Sequence, residues 1–311
     1  MYKIKHLLLT RFNIHIEAFD KNYTGGEWPG VGQTYLHQRI ELFKKICIPS
    51  VVAQSTDFVW LVFFSNQTPR RFKEEIDRIA EQHSIFHPIY IDDTIALKDE
   101  GRSLIRSSVL KFVGGDSDYV ITSRVDNDDA LGASMLSETR RVAEAAINSA
   151  VAKGRFFVSC VNGCVYNAKY GLLQKCHYKK NHFPSLVSSC DDFETVFAYS
   201  HVETYNSGIP VIETLQPDQW LEVVHGGNLD NSLHCYWPFI NADISWIKEK
   251  FNIEIDPSLW IDKEPVVILI QNELFQIKTK LDRIKNFILV RMVLIFARGA
   301  KRVFSNLFKR G

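Results

Sequence analysis

Tyr119-Val120-Ile121-Thr122-Ser123-Arg124-Val125-Asp126-Asn127-Asp128-Asp129-Ala130 opens as a short apolar, β-prone run and ends with three carboxylates in four positions. A polar cluster directly after a buried strand suits an open α/β sheet, where ligands bind outside the carboxyl ends of the strands. The residues upstream supply such a sheet. Residues 6–10 form a compact apolar run that ends at Arg11-Phe12-Asn13, and 20–34 read as loop. Gln33 to Ile46 places Leu36, Ile40, Phe43 and Ile46 at helical spacing, with Pro49 expected to end the helix. Phe58 to Phe64 is too apolar to face water on either side, as in a central strand covered by helices. A charged amphipathic helix over 69–82, a strand at 88–91, a helix from Ser103 to Val113 and a fourth strand at 119–123 complete the alternation. Together they predict a mostly parallel, Rossmann-like α/β sheet flanked by helices.

Beyond the acidic run, 137–152 reads as a helix and Arg155 to Val161 as a strand, with Gly163 to Tyr166 pairing back on it across Asn162-Gly163. From there to about 245 the pattern loosens into Asn, Ser, His and aromatic residues, which suits binding loops. Over 311 residues, the 46% hydrophobic and 23% charged fractions exclude disordered and fibrous classes. The net charge of +1 argues against nucleic acid as a partner. That balance hides an asymmetry. From Lys278 onward stand ten Lys or Arg and one acid, Asp282, a local +9 that leaves −8 on the rest. The expected organisation is therefore an acidic α/β domain over 1–277 and a basic amphipathic helical tail over 278–311.

The opening Met1 to Thr10 is too short in apolar residues for a signal peptide, so a cytoplasmic chain with reduced, mostly buried thiols is expected. A zinc site from Cys160, Cys164, Cys176 and His177 fits no familiar ligand spacing, and buried thiols are the better reading.

Three crowded carboxylates raise one another's pKa unless a cation sits among them. A hard divalent ion with a diphosphate on its far side would relieve that repulsion. An EF-hand calcium loop is excluded, because Ala130 and Leu131 stand where it needs an oxygen ligand and a glycine. A haloacid-type phosphatase would carry its nucleophile after the first strand. The bland alternative is an acidic turn that caps the next helix.

The segment Thr122 to Ala130 resembles the D-x-D segment of GT-A glycosyltransferases. His6-Leu7-Leu8-Leu9-Thr10-Arg11-Phe12-Asn13, the run Pro49-Ser50 … Gln54 … Phe58-Val59-Trp60, and Gln219-Trp220-Leu221-Glu222-Val223-Val224-His225-Gly226-Gly227-Asn228 resemble a bacterial rhamnosyltransferase family, with similarity over roughly 6–245. This resemblance implies a GT-A fold, a nucleotide-diphosphate sugar donor such as dTDP-rhamnose, and Mg²⁺ or Mn²⁺. Carried over, Asp126 would touch the donor ribose and Asp128 would ligate the metal. Asp129 would bind the metal through water, or orient Asp128 or Arg124. His225 would complete the metal shell, with His201 as the alternative, and an imidazole ligand would favour manganese. Gly226-Gly227 would let the backbone approach the diphosphate. The nucleobase would lie near Thr10 and Arg11, and Arg102 and Arg106, four apart on one helix, could meet the phosphates. An inverting transfer needs a carboxylate to take the acceptor's proton. Asp192 is the expected base, with Asp191, Glu194 and Glu203 as alternatives.

The tail interleaves basic residues with Phe, Leu and Ile, and Phe287 to Ala297, broken by Arg291, is too short to span a bilayer. It suits a helix lying on an anionic membrane, which would place the enzyme at the inner face of a bacterial plasma membrane beside a glycan or lipid-linked acceptor. The alternative is a helix packed on the acidic body or on a partner. Two other functions compete with transfer: a nucleotidyltransferase, which would want glycines after the first strand, and a degenerate sugar-nucleotide-binding scaffold.

Overall fold

The computed structural model describes residues 2–14, 29–92, 99–149, 154–168, 170–225 and 240–255, all within one compact unit, Met1–Trp260. The tail, Gly226-Gly227 and most of the 20–34 loop lie outside the described residues. Among the described residues no helix is long and apolar enough to cross a membrane.

The strands are β1 (Ile4–Arg11), β2 (Val59–Ser65), β3 (Phe86–Ile91), β4 (Tyr119–Arg124), β5 (Ala130–Leu131), β6 (Phe156–Cys160), β7 (Asn162–Asn167), β8 (Leu172–His177), β9 (Ser185–Ser189), β10 (Val211–Thr214), β11 (Trp220–Val224) and β12 (Ile240–Asn241). The helices are α1 (Gln33–Leu42), α2 (Ile48–Val52), α3 (Arg70–Gln82), α4 (Asp99–Leu110), α5 (Met135–Asn148) and α6 (Ile244–Phe251).

The main sheet has seven strands in the order β10-β6-β9-β4-β1-β2-β3, parallel except for β9, which runs against both neighbours. The expected mostly parallel α/β sheet is present. Its central strands are buried on both faces, as their continuous apolar runs require. Leu8, Trp60, Val62 and Phe64 pack under Leu36, Ile40, Phe72 and Ile76, while Leu7, Leu9, Leu61 and Phe63 pack against Ile105 and Val109.

Three local expectations are corrected. Pro49 does not end the first helix. A π-helical turn over Phe43–Cys47 widens the coil, and α2 carries it on through Val52. The wide turn suits a proline, which has no N–H to donate and whose ring crowds the carbonyl four residues back. Second, β7 does not pair with β6. It lies antiparallel to β8 and parallel to β11, within a five-stranded sheet ordered β12-β8-β7-β11-β5. The segment expected to be loops thus builds a second sheet, with Cys164, Tyr166, Leu173, Leu221 and Val223 in its core. Third, the thiols are not all reduced: Cys47, Cys160, Cys164 and Cys190 are free, but Cys176 is disulfide-bonded.

Gly163 holds this second sheet together by what it lacks. It precedes the Cys164↔Leu221 register pair and lies against Trp220 of β11, and a Cβ here would sit inside the indole. Trp220 is fully buried, stacks on Phe183 and donates its indole N–H to the Cys160 carbonyl at 2.8 Å. Gly163→Ala is expected to lower the unfolding free energy by roughly 1–3 kcal/mol through overpacking. Denaturant unfolding that matched the wild type would refute this.

Candidate active site

The acidic run leaves β4 at the carboxyl edge of the sheet. The Val125 N–H still donates to the Leu9 carbonyl on β1 at 3.2 Å, and the chain then turns, with the Asp129 N–H donating to the Asp126 carbonyl at 3.3 Å. Asn127 fixes the turn against β1 by donating to the Phe12 carbonyl at 2.8 Å. Residues quoted for the family resemblance brace the run from behind. The Ser50 hydroxyl accepts from the Leu131 N–H at 3.1 Å, and Gln54 bonds the Gly132 carbonyl at 2.9 Å and the Leu136 N–H at 3.1 Å.

Each carboxylate has its own surroundings. Asp128 is buried, and its Oδ2 meets both the Arg39 guanidinium and His225 Nε2, the latter at 3.0 Å. Burial pushes its pKa up, but Arg39 and His225 outweigh that and hold it at about 2. Arg39 also donates to Asn127 Oδ1 at 3.2 Å. Asp129 accepts the Val223 N–H at 2.9 Å, which fastens β11 to the run. Burial first, and then the carboxylates of Asp128, Asp126 and Glu222, push its pKa well above the ordinary range. Asp126 has a far more open side chain, at 37% exposure against 9% for Asp128. Burial raises its pKa, but Arg124, His182 and Arg11 together pull it below the ordinary value.

Around Asp126 stands a second group of polar side chains. Arg124 approaches it at 3.3 Å, and the guanidinia of Arg11 and Arg124 lie 5.0 and 6.0 Å from the Phe197 ring. Burial and the neighbouring Arg124 bring Arg11 down to about 10. His182 Nε2 lies 3.3 Å from Glu222 Oε2, and its ring is 5.3 Å from that of His201. Burial and then His182 push His201 down to about 4, so its imidazole is neutral at physiological pH.

The structure therefore brings together Arg11, Asp126, Asp128, Asp129, His225 and His201 of the expected residues. Thr10 is close in sequence but fully buried, its hydroxyl accepting from the Trp60 indole at 3.0 Å. Arg106 and Asp192 are not brought to the run. Arg106 donates twice to the Phe193 carbonyl, at 3.1 and 3.0 Å. Asp192 pairs with Arg155 at 2.9 Å, just beyond the end of β9. Because β9 is antiparallel to β4, with Ser189 opposite Tyr119, that end lies at the amino edge of the sheet. The length of β4, at about 3.3 Å per residue, puts roughly 16 Å between Tyr119 and Arg124.

Arg39, His182 and Glu222 are site residues that the sequence pattern did not single out. Arg39 had a legible signal: it falls between Leu36 and Phe43 on the stripe that faces the core, where a charge needs a buried partner. Glu222 is likewise a lone acid in an apolar strand, on the same side as Trp220 and Val224.

The family model described as "Putative rhamnosyl transferase" matches residues 5–234. The chain belongs to this family. No curated protein matches it. Among solved structures it is similar to a fragment of TarS from S. aureus (residues 1–349), with 8% identity, a TM-score of 0.37, and coverage of 71% of this chain and 60% of that one. It is also similar to S. aureus TarS, at 7% identity and a TM-score of 0.34, covering 72% of this chain and 37% of that one. Likenesses this low carry no argument about the site, which rests on the family and on the geometry.

Arg39 is the positive charge that keeps Asp128 tolerable in a buried place. Arg39→Met is expected to cost roughly 3–5 kcal/mol in chelator, because it leaves a buried charge short of its partner. Arg39→Met/Asp128→Asn should recover most of the loss. Denaturant unfolding of the two variants checks this; a double variant no more stable than the single one would contradict it.

Proposed function

We propose that this chain is a metal-dependent glycosyltransferase that moves a sugar, rhamnose by family membership, from a nucleotide-diphosphate donor to a glycan or lipid-linked acceptor. The observation that carries this reading is the convergence of Asp128 and His225 at the carboxyl edge of a parallel sheet.

The donor set suits a divalent ion. It joins one carboxylate, held ionised, to one imidazole nitrogen, and the mix of oxygen and nitrogen favours Mn²⁺ over Mg²⁺. Among the described residues no group of three or more His, Cys, Asp or Glu side chains forms a ready metal cluster. Two protein donors still suffice for an ion whose remaining positions are filled by diphosphate oxygens and water. Arg39 holds the same oxygen of Asp128 that His225 does, so an ion would share or replace that contact. When bound, the ion would act as a Lewis acid toward the leaving diphosphate.

The remaining roles belong to the chain. Asp126, partly exposed and tied to Arg124, would orient the donor ribose. Arg11, beside Phe197, would receive the nucleotide end. Asp129, with its carboxyl bonded to the backbone of β11, would hold His225 at the right distance from Asp128. The basic sequence of 278–311 supports an acceptor presented at an anionic membrane surface.

A panel of nucleotide sugars, dTDP-rhamnose included, tests the reading with Mn²⁺, Mg²⁺ or EDTA. One donor is expected to turn over with metal and not with EDTA, and Asp128→Ala should lower kcat at least ~100-fold, the scale of losing electrostatic stabilisation of a leaving group. A wild type that neither binds nor turns over any donor would refute it, as would an Asp128→Ala variant of full activity.

A further inference from the structure

A transfer that inverts configuration needs a group to accept the acceptor's proton, and Asp192, the acid expected for this, lies at the opposite edge of the sheet. We propose that His182 is the general base, and that Glu222 positions it and stabilises its protonated form. This rests on the transferase reading above and adds an acid–base pair to it.

The placement follows from the reversed strand. Since β9 runs antiparallel to β4, with Ser185 opposite Ser123, the residues entering β9 stand at the carboxyl edge beside the acidic run. His182 is held there from behind. Asn181 donates to the Cys160 and Tyr178 carbonyls at 3.0 and 2.8 Å, and Phe183 stacks on Trp220. Glu222 comes from the other sheet, on a strand whose register is fixed by β5 and β7. Both side chains are mostly covered, at 22% and 16% exposure. A carboxylate within 3.3 Å of Nε2 favours the tautomer with its proton on that nitrogen, leaving Nδ1 to accept.

The groups facing His182 are Glu222 from β11, Asp126 from the acidic run, Arg124 from β4 and His201. Burial lowers its pKa and Arg124 adds to that, but Glu222 and Asp126 outweigh them and leave it above the ordinary value. Only the neutral imidazole has a nitrogen lone pair to accept the proton, so transfer should rise with pH through its titration. In the step, the acceptor hydroxyl oxygen forms a bond to the anomeric carbon as the bond from that carbon to the diphosphate oxygen breaks. The electron pair leaves with the nucleoside diphosphate. The hydroxyl proton passes to Nδ1 of His182, the imidazolium is stabilised by Glu222, and the proton is then lost to water.

The test uses the full chain with the donor that turns over, comparing wild type, His182→Asn and Glu222→Gln for donor binding by calorimetry and for kcat across pH. Donor affinity is expected to stay within ~3-fold in both variants, while His182→Asn loses about 100-fold or more in kcat, the scale of a general base. Glu222→Gln should move the acidic limb of the kcat profile to lower pH, because the carboxylate that raises the His182 pKa is gone, and His182→Asn should abolish that limb. Full kcat in His182→Asn, or a limb unmoved in both variants, overturns the proposal while intact donor binding leaves the transferase reading standing. A parallel loss of donor affinity and kcat would make His182 a structural residue and also overturns it. A wild type that binds no donor removes both readings together.

Discussion

Three carboxylates crowded into four residues at the mouth of a buried strand must each be compensated, and much of the molecule is arranged around that requirement. The compensating groups come from far apart in sequence: Arg39 from α1, His225 from the end of β11, the Val223 N–H from within β11, and Arg124 from β4 itself. The helical layer, the parallel sheet and the second sheet therefore meet at the acidic run. A packed core could be built in many ways around these strands, but only a narrow set of positions for α1 and β11 leaves no bare charge. The polar site thus acts as a specification of the fold as well as a place for chemistry.

The same arrangement separates the three acids. Asp128 has a full positive charge and an imidazole against it and is ionised across the physiological range. Asp129 has a single backbone donor and carboxylate neighbours, which make ionisation costly. Asp126 is partly exposed and balanced by arginine. Identical side chains thus take on different tasks: one is held ionised between a guanidinium and an imidazole, one holds the backbone, one stays partly exposed. The division of labour is written in their partners and not in their chemical type.

Much of this is legible in the amino-acid sequence alone. The first two strands stand out because their apolar runs are long enough to exclude water on both faces, and the run Asp126 to Asp129 announces itself as a charge problem. His225 can be paired with Asp128 only through the family resemblance, since they are separated by 97 residues. The second sheet is illegible for a physical reason. Its strands are short, and their polar residues break the apolar pattern: Gln174 is fully buried, and Glu222 meets His182, a partner that no local pattern reveals. Asp192 misleads because a pair of acids in a loop says nothing about which edge of the sheet the loop occupies; one antiparallel strand, β9, reverses the answer. Arg39 is readable in principle, as a guanidinium on the core stripe of an amphipathic helix.

The π-helical turn at Phe43–Cys47 joins the two halves of one continuous coil. One additional residue in a turn rotates everything after it by about 100° relative to a regular α-helix. Ahead of the turn, Arg39 points at Asp128; behind it, Ser50 and Gln54 reach the backbone that follows the acidic run. Ser50 stands eleven positions after Arg39, which would leave the two about 20° apart around a regular helix; the wide turn opens that to about 80°. The insertion thus splays the two grips, so that a single rod meets a bent segment from two directions, Arg39 at the carboxylate and Ser50 and Gln54 at the backbone beyond it.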